Sequence, residues 1–260
     1  MMSENIISNA KSYPSVVFIV PYRDREQQLQ FFARHMNHIL EDTSPEDYLI
    51  YYVHQCDKRE FNRGAMKNIG FMAIRDMYPA DYQKITLVFN DLDTMPYTKN
   101  FLNYETVPGT VKHFYGYEFA LGGIVSINAG DFERINGFPN FWAWGFEDNA
   151  LNLRVKSAGL KIDRSQFYPI YDKNIIQFAD GLVRNVSRSE FERYIHNTKE
   201  GFDSIHNLNY QIDDSTGFIH VFTFDTLISE DQIQSAPHDL RNGNKPFTVV
   251  NRNRRMLFNV

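Results

Sequence analysis

The chain has a single cysteine, Cys56, so no disulfide can form within it, and that is consistent with a reducing compartment. It has no run approaching the roughly 18 consecutive apolar residues of a membrane span. Its first residues, Met1-Met2-Ser3-Glu4-Asn5, carry neither the basic stretch nor the apolar core of a secretory leader. These absences predict a protein with no membrane span and a cytoplasmic location. Positive charge is not in excess: the formal net charge of −5 argues against general nucleic-acid binding. Tryptophan is scarce, and the two residues present, Trp142 and Trp144, stand two apart. There is no internal repeat and no low-complexity segment.

What is present has the order of an α/β domain. Ser15–Val20 is a continuous apolar run that reads as a buried parallel strand. Asp24 then stands where it can cap a helix over about Arg25–Leu40, whose Leu29, Phe32, Ala33, Met36 and Leu40 follow the three/four spacing. Tyr48–Val53 reads as a second strand, Gly64–Met77 as a second helix ended by Pro79, and Ile85–Asn90 as a third strand. Such alternation predicts a mainly parallel sheet with right-handed crossovers and ligands off the carboxyl ends of its strands. Beyond it, Lys112–Asn136 suggests short strands around Gly122-Gly123 and a short helix over Asp131–Ile135. Asp148–Ala158 reads as a helix closed by Gly159. The polar, less periodic stretch Tyr171–Asn197 reads as a mobile loop, Phe218–Phe224 as an edge strand, and Arg252, Arg254 and Arg255 as a solvated face. The expected division is an N-terminal segment 1–14, one domain over 15–228 and a C-terminal extension over 229–260.

Three candidate motifs fall at strand ends. Pro21-Tyr22-Arg23-Asp24-Arg25 offers planar guanidinium donors for a phosphate and a ring, Tyr22, that can stack on a base; the plain alternative is a helix start with exposed arginines. Phe61-Asn62-Arg63 repeats the pairing of aromatic ring and arginine. Asp91-Leu92-Asp93 follows the third strand, and alternation in an extended chain puts both carboxylates on one side. Carboxylates there suit Mg²⁺ or Mn²⁺, which also binds diphosphate oxygens; two acids at a strand exit are also common without any ion. The richest stretch is Phe141-Trp-Ala-Trp-Gly-Phe-Glu-Asp-Asn149. A flat apolar face beside a carboxylate pair, Glu147 and Asp148, suits a sugar ring and proton removal from its hydroxyl. The same residues also describe a packed tryptophan pair followed by first-turn helix acids.

In their order, PYRDR, FNRGAMKNIGF, DLD, LGG, INGFPNFWAWGFEDN and NTKE resemble the β-1,4-galactosyltransferase family, over about Val16–Gln211. The resemblance implies a GT-A, Rossmann-like fold with a mixed, mainly parallel sheet, a UDP-sugar donor, a sugar-hydroxyl acceptor, and inverting transfer normally with Mn²⁺. It assigns Pro21, Tyr22, Arg23, Arg25, Phe61 and Arg63 to the nucleotide, Asp91 and Asp93 to the Asp-X-Asp with Asp93 the metal ligand, and Ala120 and Gly123 to the donor sugar. Trp144 falls between donor and acceptor, Phe146, Glu147, Asp148 and Asn149 fall at the acceptor, and Asp148 falls in the place of the general base. Three departures stand out. Ala143 and Phe146 replace glycines and Asn149 replaces an aspartate, which puts bulk beside the acceptor. The family's Met-X-X-His metal loop reads Ile175-Ile-Gln-Phe178, with Asp172, Asp180 and His196 the nearby alternatives, so a divalent cation (Mn²⁺ or Mg²⁺) is expected to be weakly held. Ala120 stands where galactose-specific members have a tyrosine, which favours a bulkier N-acetylhexosamine.

Since the usual family members carry an anchor and disulfides, the resemblance points to a cytoplasmic bacterial or viral relative. The leading expectation is an inverting glycosyltransferase. The competing one is a catalytically silent nucleotide-sugar or glycan-binding module with a degraded metal site. A nucleotidyltransferase is disfavoured because Pro21–Arg25 contains neither Gly nor Lys.

Overall fold

The computed structural model describes residues 12–179, 181–243 and 245–248; Asp180 and the Arg252, Arg254 and Arg255 cluster lie outside them. The α/β alternation holds through β1 (Val16–Tyr22), α1 (Glu26–Ile39), β2 (Tyr48–Gln55), α2 (Arg63–Met77) and β3 (Thr86–Asn90). There follow β4 (Thr94–Pro96), β5 (Thr110–Gly116), β6 (Ile124–Asn128), α3 (Ala129–Arg134), α4 (Glu147–Ser157), β7 (Lys161–Asp163), β8 (Tyr168–Pro169), β9 (Ile175–Gln177), β10 (Val183–Val186) and α5 (Arg188–Ile195). The chain then runs through β11 (His206–Asp213), β12 (Phe218–Asp225) and β13 (Ala236–Asp239).

One sheet has the order β11-β12-β2-β1-β3-β6-β5-β7, with β8 also pairing β5. β12, β2, β1 and β3 run parallel, while β6 enters antiparallel between β3 and β5. This is the mixed Rossmann-like sheet expected of the sequence. Alternation along β1 divides the core. Val17 and Ile19 pack with α2 residues such as Met66 and Ile69, while Phe18, Val20 and Tyr22 pack with Leu29, Phe32 and Met36 of α1.

Several local expectations are corrected. Asp24 does not cap α1: it adopts a positive φ of 53°, and Arg25 takes the cap position without a side-chain bond. Phe218–Asp225 is not an edge strand, because β11 pairs antiparallel outside it. The stretch read as a mobile loop is built: β9 pairs with β4, β10 pairs with β13, and α5 follows, capped by Ser187. Short strands joined to remote partners leave no periodic signal in the sequence, so register with the partner decides them. The C-terminal extension begins in the same way, through β13.

Gly70 lets α2 lie close on the sheet: a Cβ there would stand 2.6 Å from Ile19 Cγ2 and 3.0 Å from Val53 Cγ2. Gly70→Ala is therefore expected to destabilise the fold by about 1–3 kcal/mol, the usual cost of overpacking. The measurement is the urea midpoint at unchanged m-value, and an unshifted midpoint would mean that α2 sits farther from β1 and β2.

Candidate active site

The carboxyl ends of β1, β2 and β3 deliver their loops to one cleft of about 1330 Å³. Pro21, Arg23, Arg25, Phe61, Arg63, Asp91, Asp93, Ala120, Gly123, Trp144, Phe146, Glu147, Asp148 and Asn149 all line it. Tyr22 does not. Its position in the alternation of β1 turns it to the α1 face, where it is 8% exposed and packs edge-on against His54 and Phe218, so it cannot stack on a base in the cleft.

The centre of the cleft is an interleaved set of charges. Arg63 Nη2 donates to both oxygens of Asp91 at 2.6 and 2.7 Å, and its Nη1 donates to Glu147 Oε1 at 2.8 Å. Lys67, one turn further along α2 and 1% exposed, donates to Asp148 Oδ1 at 3.1 Å and stands 3.9 Å from Asp91. Sequence reasoning missed Lys67. The available signal was its spacing: Arg63 and Lys67 are four apart on one helix, so they share a face, and two like charges on a buried face need acids opposite. Burial works against the charge of Asp91, but Arg63 and Lys67 outweigh it and hold its carboxyl below the usual range. Burial, with Asp148 adding repulsion, pushes Glu147 above the usual range despite Arg63.

Glu147 and Asp148 open α4, where the helix N-terminus favours negative charge. Their exposures separate their roles: the Glu147 side chain is 5% exposed and that of Asp148 is 19% exposed. Asp148 rests against the glycine pair. A Cβ on Gly122 would lie 2.3 Å from Asp148 Oδ2, so only glycine leaves that oxygen its place. Leu121 N–H also donates to the Asp148 carbonyl at 2.9 Å.

The Asp-X-Asp does not present both carboxylates on one side. The chain turns there, with Thr94 N–H donating to Asp91 O at 3.1 Å, so Asp91 faces α2 while Asp93 meets Arg25 Nη1 at 3.2 Å. Phe178 N–H donates to the Asp93 carbonyl at 2.9 Å, which brings the end of β9 beside Asp93 with a phenylalanine in place of a ligand. Asp172 accepts from Asn174 in its own turn, and His196 ends α5. Among the described residues, a hard cation therefore meets Asp93, shared with Arg25, as the acid of this motif that is not turned to Arg63. That donor set fits a cation held largely by substrate oxygens and held weakly. Among the described residues, the His, Cys, Asp and Glu groups that bring three ligand atoms within 4.8 Å of one another reduce to His54, Cys56 and His220, a softer set that does not line this cleft.

The two tryptophans divide their work. Trp142 is core: it stacks on Phe224 at 5.4 Å, and its Nε1–H donates to Thr226 Oγ1 and Ile228 O. Trp144 lines the cleft. Three successive backbone N–H groups fix this loop. Those of Trp142 and Ala143 each donate to the Glu190 carboxylate at 2.7 Å, and that of Trp144 donates to Asn185 O at 2.7 Å. Phe146 occupies a left-handed conformation, φ 71°, that glycine would adopt freely. It stacks on Tyr194 at 5.5 Å and packs against Phe191 at 5.0 Å.

Burial pushes the Glu190 carboxyl from the ordinary 4.5 up to about 7, against the N–H groups of Trp142 and Ala143 and the charge of Arg193. The folded state thus holds a proton that the unfolded chain releases. This contribution to stability is full below 4.5 and disappears as pH rises through about 7. Relative to Glu190→Gln, the wild type is expected to lose thermal stability across that window; Glu147 acts with the same sign in both proteins and His113, which burial lowers to about 4, with the opposite sign in both. Equal slopes would show that Glu190 titrates at its ordinary value.

Known families match this chain. The family model described as the N-terminal region of glycosyl transferase group 7 matches residues 7–105, and the one described as the N-terminal domain of galactosyltransferase matches residues 109–175. The chain is 31% identical over 207 residues to β-1,4-galactosyltransferase 5 of Sus scrofa, covering 75% of this chain and 51% of that protein. It is 27% identical over 218 residues to the xylosylprotein 4-β-galactosyltransferase of Caenorhabditis elegans, covering 78% and 73%. The chain thus spans about half the length of the pig relative. The catalytic domain of Drosophila β-1,4-galactosyltransferase 7, solved with xylobiose, superposes with a TM-score of 0.65 at 23% identity, covering 84% of this chain and 97% of that one. A mutant of that enzyme, solved with manganese, UDP-Gal and xylobiose, gives 0.62 at 20% identity over the same shares. Among the described residues no helix is long and apolar enough to cross a membrane. The fold, the ordered motifs and both family models agree: this chain belongs to glycosyl transferase group 7, the family of the β-1,4-galactosyltransferases.

Proposed function

We propose that the chain is an inverting glycosyltransferase that moves a hexose or N-acetylhexosamine from a UDP-sugar to a sugar hydroxyl, with Asp148 as the general base. One observation carries this reading. Of the carboxylate pair, Asp148 is the one left partly exposed in the cleft, against Gly122, with Trp144 lining the same cleft. Asp148 takes the acceptor proton, and the freed oxygen attacks the anomeric carbon opposite the departing UDP. Trp144 supplies a flat face that holds the sugars in line, a positioning contribution. Arg25 and Arg23 lie at the strand ends where the diphosphate belongs and offset its developing charge. A divalent cation, when bound, adds Lewis-acid neutralisation there, held through Asp93 and substrate oxygens. UDP-Gal, manganese and xylobiose in the fly relative support this class of donor, cation and acceptor. The reading treats residues 15–228 as the transferase domain, working in the cytoplasm, and 229–260 as an extension. The described part of that extension reaches the cleft through Leu240, Lys245 and Phe247.

The second reading is a binding module without turnover. Two observations favour it: Lys67 already engages Asp148 Oδ1 at 3.1 Å, and among the described residues Asp91, the other carboxylate of the Asp-X-Asp, is engaged by Arg63 rather than turned to Asp93. Donor hydrolysis, which needs no acceptor, separates the readings. Release of UDP supports transfer chemistry, while tight UDP-sugar binding with no release over hours supports the module.

Asp148→Asn is expected to lower turnover by on the order of 10²–10⁴-fold, the usual contribution of one base, with donor affinity nearly unchanged. A variant keeping more than about half of wild-type kcat removes Asp148 from the role.

Because Asp93 is shared with Arg25, chelation is expected to cost less activity than Arg25→Ala. The comparison is kcat/KM in EDTA for the wild type against the variant in Mn²⁺. Complete loss in EDTA would make the cation, not the arginine, the main stabiliser of the leaving group.

Ala120 is buried and lines the cleft; on this reading it is the residue facing the donor's C2 substituent, offering a methyl group where a tyrosine would offer a ring. UDP-N-acetylhexosamine is expected to be at least as good a donor as UDP-Gal. One buried methyl is worth about 1 kcal/mol, so the preference should be modest, and Ala120→Tyr should reverse it. A strong preference for UDP-Gal, unchanged in the variant, would show that Ala120 does not meet the donor sugar.

A further inference from the structure

The cleft uses none of three potential ligands gathered at the ends of β2 and β12. His54 and His220 are register partners across the parallel β2–β12 pairing, and their Nδ1 atoms stand 3.3 Å apart. Cys56, two residues further and just past the end of β2, presents its Sγ 3.6 Å from His54 Nδ1. All three ligand atoms lie within 4.8 Å of one another, and all three residues are partly exposed. None of them lines the cleft.

These separations have a specific chemical meaning. Metal–nitrogen bonds of about 2.0–2.1 Å and a metal–sulfur bond of about 2.3 Å, at tetrahedral angles, give an N···N edge of roughly 3.3 Å and an N···S edge of roughly 3.6 Å. The two edges in the structure, 3.3 and 3.6 Å, are those of a tetrahedral zinc-type site. The rings are held by packing. His54 meets Tyr22 edge-on at 5.1 Å, and His220 stacks on Phe218 at 5.2 Å with planes 3° apart. The backbone is fixed as well, by Cys56 N–H donating to Val221 O at 2.9 Å. Ligands ordered before binding lose little freedom on taking up a metal.

We propose that His54, Cys56 and His220 form a binding site for a thiophilic divalent cation, Zn²⁺ foremost, with water in the fourth position. Two imidazoles and one thiolate select Zn²⁺ over Mg²⁺ and Mn²⁺, which prefer oxygen. Binding displaces the Cys56 proton to solvent, and no electron is transferred. The site joins residues 166 apart in sequence and clamps β12 to β2. It sits at the root of the loop that carries Arg59, whose guanidinium covers Trp142 and Phe224 and whose carbonyl accepts from Arg23. The clamp thereby stiffens the Arg23 side of the cleft.

The test is Co²⁺ substitution of the metal-free full chain, followed by Zn²⁺ competition. The expected result is one equivalent of Co²⁺ with a thiolate-to-cobalt charge-transfer band in the near ultraviolet, displaced by Zn²⁺ and not by Mn²⁺ or Mg²⁺. Cys56→Ser is expected to remove the band, and His220→Ala to weaken Zn²⁺ binding at least tenfold, while Asp93→Ala leaves both unchanged. Circular dichroism checks that each variant folds. Zn²⁺ should also raise the melting temperature of the wild type and not of Cys56→Ser. Absence of the charge-transfer band in the wild type overturns the proposal without recourse to any variant, as does Zn²⁺ binding that survives Cys56→Ser and His220→Ala or that is lost in Asp93→Ala.

Discussion

Arg63 and Lys67 on one face of α2 hold three carboxylates from two other segments, and the rest of the cleft depends on that arrangement. Asp91 arrives at the end of β3, while Glu147 and Asp148 arrive at the start of α4. Three acids in so small a volume would repel one another and take up protons. Arg63 bridges Asp91 to Glu147 and Lys67 bridges Asp91 to Asp148, so Asp91, which has both cations, stays ionised against its burial, while burial and the neighbouring Asp148 push Glu147, the least exposed of the three, upward. The arrangement also fixes geometry, because breaking such a set leaves an uncompensated buried charge. The β3 side and the α4 side of the cleft are therefore one electrostatic unit. The same feature engages Asp148 itself, because Lys67 donates to its Oδ1 at 3.1 Å.

The second structural dependence runs from the C-terminal half back to the tryptophan loop. Glu190 and Asn185 between them accept the N–H groups of Trp142, Ala143 and Trp144. Trp142 is further held by Phe224, Thr226 and Ile228. A loop with no hydrogen-bonded strand of its own acquires a fixed shape from partners far along the chain. The cleft is thus complete only when β10, α5 and the segment after β12 have docked. On the transferase reading, the flat face of Trp144 is held by residues that touch no sugar.

The sequence disclosed most where a segment's own residues decide its structure. The continuous apolar runs of β1, β2 and β3 and the three/four spacing of α1 need no partner to be read, and neither does the gathering of loops at strand ends. Alternation on β1 even contained the answer for Tyr22: Val20 and Tyr22 share a face, so a ring there belongs to the α1 core and not to the cleft. What stayed hidden was decided by partners. β9, β10 and β13 are three or four residues each and exist through pairing across long separations. The turn at Asp91-Leu-Asp93 follows from Asn90, whose buried amide donates to the carbonyls of Asp91 and Thr94, a bond with no periodic signature. Lys67 was hidden by its type, since lysine on a helix usually marks the solvent face.

Phe146 shows how a departure from the family pattern is accommodated. The backbone there keeps the left-handed conformation that suits the family's glycine, at a cost of order 1–3 kcal/mol for a residue with a side chain. The ring offsets this by packing among Phe191, Tyr194 and Phe247, a cluster drawn from α5 and the C-terminal extension. A glycine at 146 would leave α5 and the extension without that contact. The bulk that marks the departure in the sequence is therefore turned largely into the protein, where it joins the extension to the cleft wall. Trp144 and Phe146 both line the cleft. On the transferase reading, an acceptor entering there meets stacking surface before it meets Asp148.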